Sequence, residues 1–407
     1  MARSDGTERS ILTRSGPFTL EITTAIDRVA SEEWDALAGT DNPFVEHAFL
    51  QLLERSGSVG PGTSWAPHHV LAVRDGRLAG AAPAYLRGDS YGEYIFDWAW
   101  AEAAERAGIR YYPKLLVAVP FTPATGPRLL AHPREDTSEV RRALVAGLTA
   151  LQSERGASST HVLFCTDDEA SALEALGFHR RATHQFHWRN HGYARFEDFL
   201  GAFRSSARKQ VHRERRRVAE AGLTIVKKVG REISDEDWQI LERLYRTTGN
   251  KKWGRPYLTP RFFSDARETI GPRAIALLAL REDRVIAGTL SFQKGRHLFG
   301  RYWGALEDHD ALHFELCYYR LLDHAIAEGL TQVEAGAQGE HKVKRGFLPV
   351  AVHSAHRFTH PGLDEGIARF LRRERAEVLA ALPQWAEQGP FREGARPPYP
   401  LSAGIDL

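Results

Sequence analysis

The sequence repeats one of its own segments in two places far apart along its 407 residues. Residues 177–187 read GFHRRATHQFH and residues 346–356 read GFLPVAVHSAH, so that Gly, Phe, Ala and both His recur at the same offsets. Upstream of these, LAVRDGR at 71–77 and LALREDR at 278–284 form a second pair in the same order. Two ordered matches favour the duplication of one domain, and their spacing is too long for a solenoid repeat. We expect a cleft where the copies meet.

Composition is that of a globular protein with two or three domains. Hydrophobic residues make up 43% of the chain, and the net charge of +2 gives no general reason to expect a nucleic-acid or acidic partner. The two cysteines, Cys165 and Cys317, lie in the apolar stretches HVLFC and FELCYY, which are typical of small buried hydrophobic residues. We find neither a signal peptide nor an integral membrane segment and expect a cytoplasmic protein.

Both copies are predicted to contain the same order of elements. Arg-Asp-Gly-Arg at 74–77 and Arg-Glu-Asp-Arg at 281–284 join apolar runs and predict one β-hairpin in each copy. Apolar residues at helical spacing in 138–152 and 314–325 predict a helix that follows. The order of helix, hairpin, strand, helix, strand and strand describes an α+β fold. It consists of two tandem open sheets, mostly antiparallel, each with a central crossover helix.

A helical linker is predicted between the copies. Residues 196–203 carry aromatic and aliphatic side chains at helical spacing, and residues 204–217 read RSSARKQVHRERRR. This basic helix is either an arm that contacts phosphate groups, through Arg208, Lys209 and Arg213, or a solvated face, which composition alone favours. The predicted divisions are a first domain at 17–190, the linker at 191–228, a second domain at 229–360, and a C-terminal helix with a Pro-rich tail at 361–407.

This order of elements resembles the GNAT acyltransferase superfamily. The doubled form with a basic linking helix is similar to the Fem-type (FemABX) family of peptidoglycan-precursor aminoacyltransferases. The resemblance covers the chain from about residue 18 to about residue 358. It rests on KRGF at 344–347, on the aromatic and basic linker, and on the stretch that begins with RYWGA at 301–305 and continues into a Tyr-rich helix.

The resemblance implies tandem GNAT-like domains and an N-acyltransferase. The co-substrate would be acyl-CoA or aminoacyl-tRNA, with no tightly bound cofactor. The acceptor would be a small-molecule or lipid-linked amine of the cell-wall type. The sequence departs from the family pattern at one place: the glycine-rich pyrophosphate loop of acetyl-CoA members is replaced by EDHDAL at 307–312. Both donors, and the oligomeric state, therefore stay open.

Acyl transfer to an amine requires a free nitrogen lone pair, a held carbonyl and hydrogen-bond donors for the oxyanion. A lysine-like amine with a pKa of about 10.4 costs about 4–5 kcal/mol to deprotonate at neutral pH. An α-amine with a pKa near 8 costs about 1 kcal/mol. A general base is therefore important for the first kind of acceptor and optional for the second.

The densest polar cluster, at 334–347, follows the end of a predicted strand and contains several small residues, as site loops often do. Its candidate bases are Glu340 and His341. Three basic side chains in it could hold a phosphate or carboxylate: Lys342, Lys344 and Arg345. The alternative interpretation is a solvated loop with a run of charges.

Other candidates lie outside this cluster or at its edge. His313 and Glu315 open the central helix of the second copy, at the positive end of its dipole, and are further catalytic candidates. The alternative for them is a helix-start acid and a packed histidine. The remaining substrate-binding candidates are Asn250, Lys251, Trp253, Tyr257, Arg301, Tyr302 and Gln338.

The repeated histidine pairs do not indicate a metal site. His184 with His187, and His353 with His356, are spaced i, i+3 on strands and point to opposite faces, so we expect shared packing and no metal. The competing function is a catalytically idle binding module for a phosphorylated or cell-wall-type ligand. A third hypothesis, a nucleic-acid partner, rests on residues 204–217 alone.

Overall fold

The computed structural model describes residues 10–252, 256–336 and 339–397, with the backbone alone for 249–252. The strands are β1 Ser10–Ser15, β2 Phe18–Thr23, β3 Trp65–Pro67, β4 His69–Arg74, β5 Arg77–Ala82, β6 Ala84–Arg87, β7 Lys114–Val117, β8 Leu130–Ala131, β9 Ser159–Cys165, β10 His179–Arg189, β11 Thr224–Val229, β12 Ala274–Arg281, β13 Arg284–Lys294, β14 His297–Ala305, β15 Gln332–Glu334 and β16 Leu348–Phe358.

The α-helices are α1 Ser31–Asp35, α2 His47–Arg55, α3 Trp98–Arg106, α4 Thr137–Arg155, α5 Asp167–Ala175, α6 Phe196–Gly201, α7 Ser205–Glu220, α8 Asp235–Lys252, α9 Pro260–Thr269, α10 Leu312–Phe314, α11 Arg320–Ala327 and α12 Pro361–Glu387. Between α10 and α11, Glu315–Tyr319 forms a π-helical turn, and Glu340–Arg345 forms a 3₁₀ turn.

The described chain divides into two compact units. Unit 1 contains residues 10–39, Phe44–Thr183 and Val352–Ala376, and unit 2 contains Thr40–Pro43, His184–Ala351 and residues 377–397. Strands β10 and β16 each begin in one unit and end in the other. The domain boundaries predicted at 190, 228 and 360 stay predictions.

Unit 1 is built around helix α4. An antiparallel sheet in the order β1-β2-β4-β5-β8 and a second sheet containing β9, β7, β6 and β3 belong to this unit. Strands β7 and β9 are parallel, and the chain passes through α4 between them. Asp136 caps the start of α4 by accepting a hydrogen bond from the Glu139 amide, and Gly156 ends it in a left-handed conformation. The helix buries Leu144 and Leu148 in one core with strand residues.

Unit 2 contains a sheet in the order β11-β12-β13-β14-β15-β10, in which only the β14–β15 pair among the described neighbours is parallel. The chain connects these two strands through α10, the π-helical turn and α11. Helix α8 lies directly on β14, because a Cβ atom at Gly304 would stand 1.9 Å from the carbonyl oxygen of Leu244. Glycine at 304 therefore permits this close approach.

The two units repeat the same local structures. The hairpin turns have positive φ at both central residues, Asp75 and Gly76 in one unit and Glu282 and Asp283 in the other, as in type I′ turns. Gly177 and Gly346, with φ of 87° and 85°, precede the 11-residue strands β10 and β16. His184 and His353 are each the sixth residue of these strands, counting from His179 and from Leu348. The predicted α+β class, with open, mostly antiparallel sheets and a crossover helix in each copy, is confirmed.

The equivalent glycines give a matched pair of substitutions. Alanine at either position would adopt an unfavourable positive φ. A Cβ atom at Gly346 would also lie 2.6 Å from Phe199 Cζ, whereas nothing lies within 4 Å of one at Gly177. We expect Gly346→Ala to lower the free energy of unfolding by about 1–3 kcal/mol more than Gly177→Ala, since overpacking has about that cost. Urea unfolding of both variants tests this, and equal losses would contradict the predicted clash.

Two histidines lie buried side by side in unit 1. The Nδ1 atoms of His161 and His356 are 2.7 Å apart, and their Nε2 atoms contact the hydroxyls of Ser159 and Ser354 at 2.7 and 2.8 Å. Burial, with the nearby Lys114 ammonium, lowers the pKa of His161 to about 3. Burial and the adjacent His161 lower the pKa of His356 well below its usual value. Both rings are therefore neutral in the folded protein at neutral pH.

This pair should make the fold sensitive to acid. The unfolded chain binds protons at these histidines below pH about 6.5 while the folded chain does not, so stability is full above that pH and falls below it. Each group contributes a loss of about 2 kcal/mol between pH 7.5 and pH 5. Urea unfolding should show that His356→Gln loses about 2 kcal/mol less than the wild type over this range. The exposed His360→Gln should retain the wild-type dependence, and an unchanged dependence in His356→Gln would contradict the assignment.

Candidate functional site

Strands β14 and β15 separate after a short parallel pairing. His297–Phe299 pairs with Gln332–Glu334, after which β14 continues to Ala305 while β15 ends. Beyond the carboxyl end of β14 lies a cavity of about 610 Å³, a volume typical of small-molecule sites. Its lining comes from α8, β14, the following loop and the start of α10: Thr247, Thr248, Trp303, Ala305, Glu307, Asp308, His309, Asp310, Leu312 and His313.

A cluster of aromatic and imidazole rings begins at the cavity lining, to which Trp303 and His313 belong. The ring of His313 has its centroid 5.2 Å from that of Trp303, 5.5 Å from Tyr318 and 5.9 Å from His341. The ring of Phe314 lies 5.6 Å from that of His341. The structure therefore brings together His313 and His341, two candidates that the sequence places on different segments.

His341 is exposed and forms a hydrogen bond with a buried tyrosine. Its Nε2 atom lies 2.9 Å from the Tyr318 hydroxyl oxygen. Burial raises the pKa of Tyr318, so the phenol stays protonated and can donate. The phenol oxygen can also accept, and in the tautomer whose Nε2–H donates to Tyr318 the Nδ1 atom of His341 keeps its lone pair. A neutral imidazole in this position can take up one proton from a neighbouring group.

The 3₁₀ turn that carries His341 is fixed by two buried cations. Lys342 is 2% exposed, and its Nζ atom donates to the carbonyl oxygen of Gly336 at 2.8 Å. Arg345 donates from Nη2 to both carboxylate oxygens of Glu214, at 2.9 and 3.0 Å, and from Nη1 to the His341 carbonyl at 3.0 Å. Both side chains thus hold protein groups, while Glu340 and Lys344 are exposed. Substrate binding by the cluster stays a prediction.

Glu315 lies inside the π-helical turn and is buried. Its Oε1 atom accepts from Arg320 Nε at 2.9 Å and lies 3.3 Å from Arg215 Nη2. Burial raises the pKa of Glu315, although the two guanidinium groups oppose the shift. It does not line the cavity described above. Its predicted catalytic role stays a prediction, as does that of His313.

The remaining candidates lie as follows. Arg301, Tyr302, Tyr257 and Arg208 are partly buried, and Lys209 and Arg213 are exposed on α7. Trp253 and Gln338 lie outside the described residues, as do the side chains of Asn250 and Lys251. Cys165 is buried, as predicted, whereas Cys317 is partly buried, and burial raises the pKa of both thiols. Within the described ranges no three His, Cys, Asp or Glu side chains are grouped to hold a metal ion.

Sequence reasoning missed Glu214, Trp303 and the tyrosines at 318 and 319. A signal for Glu214 was present: Val211, Glu214 and Val218 recur at i, i+3 and i+7 and are the buried residues of α7. An acid on the apolar face of a basic helix indicates a buried partner of opposite charge.

In unit 1 the region beyond the corresponding parallel strand pair, β7 and β9, has a different structure. Strands β7 and β9 also pair in parallel over three residues, Leu115–Val117 with 160–162. The segment that follows β7 returns to β9: the Gly126 amide donates to the Phe164 carbonyl at 3.0 Å. The fully buried Arg128 donates to the carbonyls of Leu163 at 2.8 Å and Ala124 at 2.6 Å. In unit 1 the chain therefore covers the end of β9 with its own backbone.

A search of solved structures gives matches of low sequence identity. FemX is 13% identical, with 84% of this chain and 98% of that chain covered, at a TM-score of 0.51. The C-terminal domain (DUF2156) of a putative lysylphosphatidylglycerol synthetase from Agrobacterium fabrum is 10% identical, with 86% and 96% covered, at 0.51. A tandem GNAT protein from the clavulanic acid biosynthesis pathway is 16% identical, with 84% and 99% covered, at 0.44. The likeness to the first two shows the fold alone.

The remaining comparisons concern the sequence. No curated protein matches it. Across the described residues no helix is both long and apolar enough to cross a membrane. A family model described as peptidoglycan biosynthesis/recognition matches residues 25–393, which is nearly the whole chain. The chain belongs to this FemAB-like family.

Proposed function

We propose that this chain is an N-acyltransferase that moves an acyl or aminoacyl group from an activated donor to an amine of a cell-wall precursor. The observation that carries the proposal is the position of the His341 imidazole. It is exposed and hydrogen-bonded to Tyr318, and its ring centroid lies 5.9 Å from that of His313, which lines the cavity at the end of β14. Membership of a peptidoglycan family supports a precursor of that type as the acceptor.

The chemistry follows from these groups. The acceptor nitrogen attacks the donor carbonyl, the new C–N bond forms, and the C–O bond of an ester or the C–S bond of a thioester breaks. His341 takes the proton that the nitrogen loses. A proton must then reach the leaving oxygen or sulfur, and the imidazolium is its nearest source. Tyr318 holds the imidazole in orientation throughout.

The charged residues of the cavity lining are relevant to which activated donor can bind there. Three of the described lining residues carry a carboxyl group: Glu307, Asp308 and Asp310. Glu307 is paired with Arg281, at 2.8 Å, and with Arg284, and Asp310 is paired with Arg217. Two of the three carboxylates are therefore compensated by guanidinium groups, so the charge at this helix start does not by itself repel an anionic donor. Both an aminoacyl-tRNA and an acyl-CoA stay candidates for the donor.

Replacing His341 tests the chemistry. We expect His341→Gln to lower kcat by about 10²–10⁴-fold with KM little changed, because a base acts in the transition state. The exposed His212→Gln on α7 serves as the matched control and should keep wild-type kcat. The measurement is mass spectrometry of muropeptide precursors incubated with the protein and either acyl-CoA or aminoacyl-tRNA mixtures.

The outcome also reports on the acceptor. A large loss of kcat that is relieved at high pH indicates a lysine-like amine, and a small loss indicates an α-amine. If the wild type binds muropeptides but transfers nothing from either donor class, the chain is a binding module and the proposed function is wrong.

The exposed basic face of α7 offers a second test. Lys209, Arg213 and Arg216 are exposed and succeed one another at helical spacing. If they contact the phosphates of a tRNA donor, the logarithm of the binding constant should fall with the logarithm of the salt concentration. Replacing all three residues with Ala should make this slope less steep by about 2. Filter binding of tRNA across salt concentrations measures this, with Arg369, Arg372 and Arg373 of α12 replaced as the control. Unchanged affinity at every salt concentration would show that this face of α7 does not contact the tRNA phosphates.

A further inference from the structure

Glu214 lies on the buried face of the otherwise basic helix α7. The side chain is 5% exposed, and its carboxylate accepts two hydrogen bonds from Arg345 Nη2, at 2.9 and 3.0 Å. The hydroxyl of Tyr319 also donates to it, and the Gln210 amide donates at 2.7 Å. One carboxylate thus joins α7, the π-helical turn and the 3₁₀ turn.

Arg345 connects this carboxylate to the candidate base. It is 8% exposed, and its Nη1 atom donates to the backbone carbonyl of His341 at 3.0 Å. Its guanidinium carbon lies 3.3 Å above the ring of Phe314, which in turn packs beside the ring of His341. The position of the guanidinium therefore constrains both the backbone and the ring of His341.

These contacts close on themselves. Tyr318 and Tyr319 are consecutive residues of the π-helical turn, yet Tyr318 bonds to His341 while Tyr319 bonds to Glu214. A π-helical turn changes the direction of successive side chains within a helix, and such turns are frequent at functional sites. The contacts therefore form a closed ring of residues. Glu214 bonds to Arg345, Arg345 to the His341 carbonyl, and the His341 ring to Tyr318. Tyr318 is followed in the chain by Tyr319, which bonds back to Glu214.

The physical consequence is that a substitution that removes the charge of Glu214 should move Arg345 and the 3₁₀ turn. Loss of the Glu214 carboxylate leaves the guanidinium of Arg345 as an uncompensated buried cation, which is strongly destabilising. The 3₁₀ turn is held by Arg345 and by the bond from Lys342 to the Gly336 carbonyl. Loss of Glu214 removes the partner of Arg345, so we expect Arg345 to shift and to move the His341 carbonyl to which it is bonded.

We propose that Glu214 is a positioning residue, which acts through Arg345 to place the His341 imidazole against Tyr318 and beside His313. The same helix carries Lys209, Arg213 and Arg216 on its exposed face, so a ligand held there and His341 are both positioned relative to α7. The effect on catalysis rests on the proposed function. The effect on the position of His341 does not.

The test compares Glu214→Gln with Glu220→Gln, the same change at an exposed position of the same helix. In Glu214→Gln, hydrogen exchange of the amides at 340–346 should be at least tenfold faster, and the NMR signals of the His341 ring should move. Glu220→Gln should match the wild type in both measurements. A merely stabilising role would lower the melting temperature without selective changes at 340–346. Wild-type exchange in folded Glu214→Gln would overturn the proposal.

A second variant covers the case in which Glu214→Gln does not fold. The double variant Glu214→Met with Arg345→Met removes both buried charges, so it should fold, and the His341 ring signals should still move. Unmoved signals would overturn the proposal.

Activity gives an independent readout. Glu214→Gln should lower kcat at least tenfold with KM within threefold of the wild type. If the wild type shows no turnover but exchange at 340–346 is faster in the variant, the proposed function fails and the positioning role stands. If turnover is present and Glu214→Gln leaves kcat unchanged, the positioning role fails.

Discussion

Parallel strands that are joined through a helix can pair for only part of their length when each then leads into a different segment, and a gap opens where they separate. Both units contain such a pair, β7 with β9 and β14 with β15. The two units differ in the segment that lies next to this gap. Unit 1 covers the end of β9 with residues that follow β7, whereas unit 2 has a cavity of about 610 Å³ beyond the end of β14. The two units thus differ in the segment that follows the parallel strand pair.

In both units an arginine holds the irregular segment near the gap. Arg128 donates to backbone carbonyls from its guanidinium, and Arg345 donates to a carboxylate and to one carbonyl. Backbone groups outside regular ladders still need partners when they are buried, and a guanidinium provides up to five donors from one side chain. In unit 1, Arg128 fixes the segment that covers the end of β9. In unit 2, Arg345 fixes the 3₁₀ turn, in which His341 stays exposed.

Much of the fold could be predicted from local pattern, because hairpins and amphipathic helices are set by residues close in sequence. The Arg-Asp-Gly-Arg and Arg-Glu-Asp-Arg turns, the central helices and the Gly-Phe entries into β10 and β16 all follow from such patterns. The proximity of His313 and His341 was not predicted, because the two candidates lie on different segments of the chain. The partners of the charged residues could not be predicted. Arg345 meets Glu214 across 131 residues, and a charge in a sequence does not show which distant group it faces.

The most direct measurement is hydrogen exchange with bound ligand. The probes are a 3′-aminoacylamino adenosine, which is a stable analogue of the aminoacyl-tRNA terminus, and acetyl-CoA. If unit 2 contains the working site, one of these probes should protect the amides at 306–313 and 340–346 and leave those at 118–129 unchanged. Protection at 118–129 without any at 306–313 or 340–346 would contradict the assignment, since it would place the ligand in the unit whose strand ends are covered.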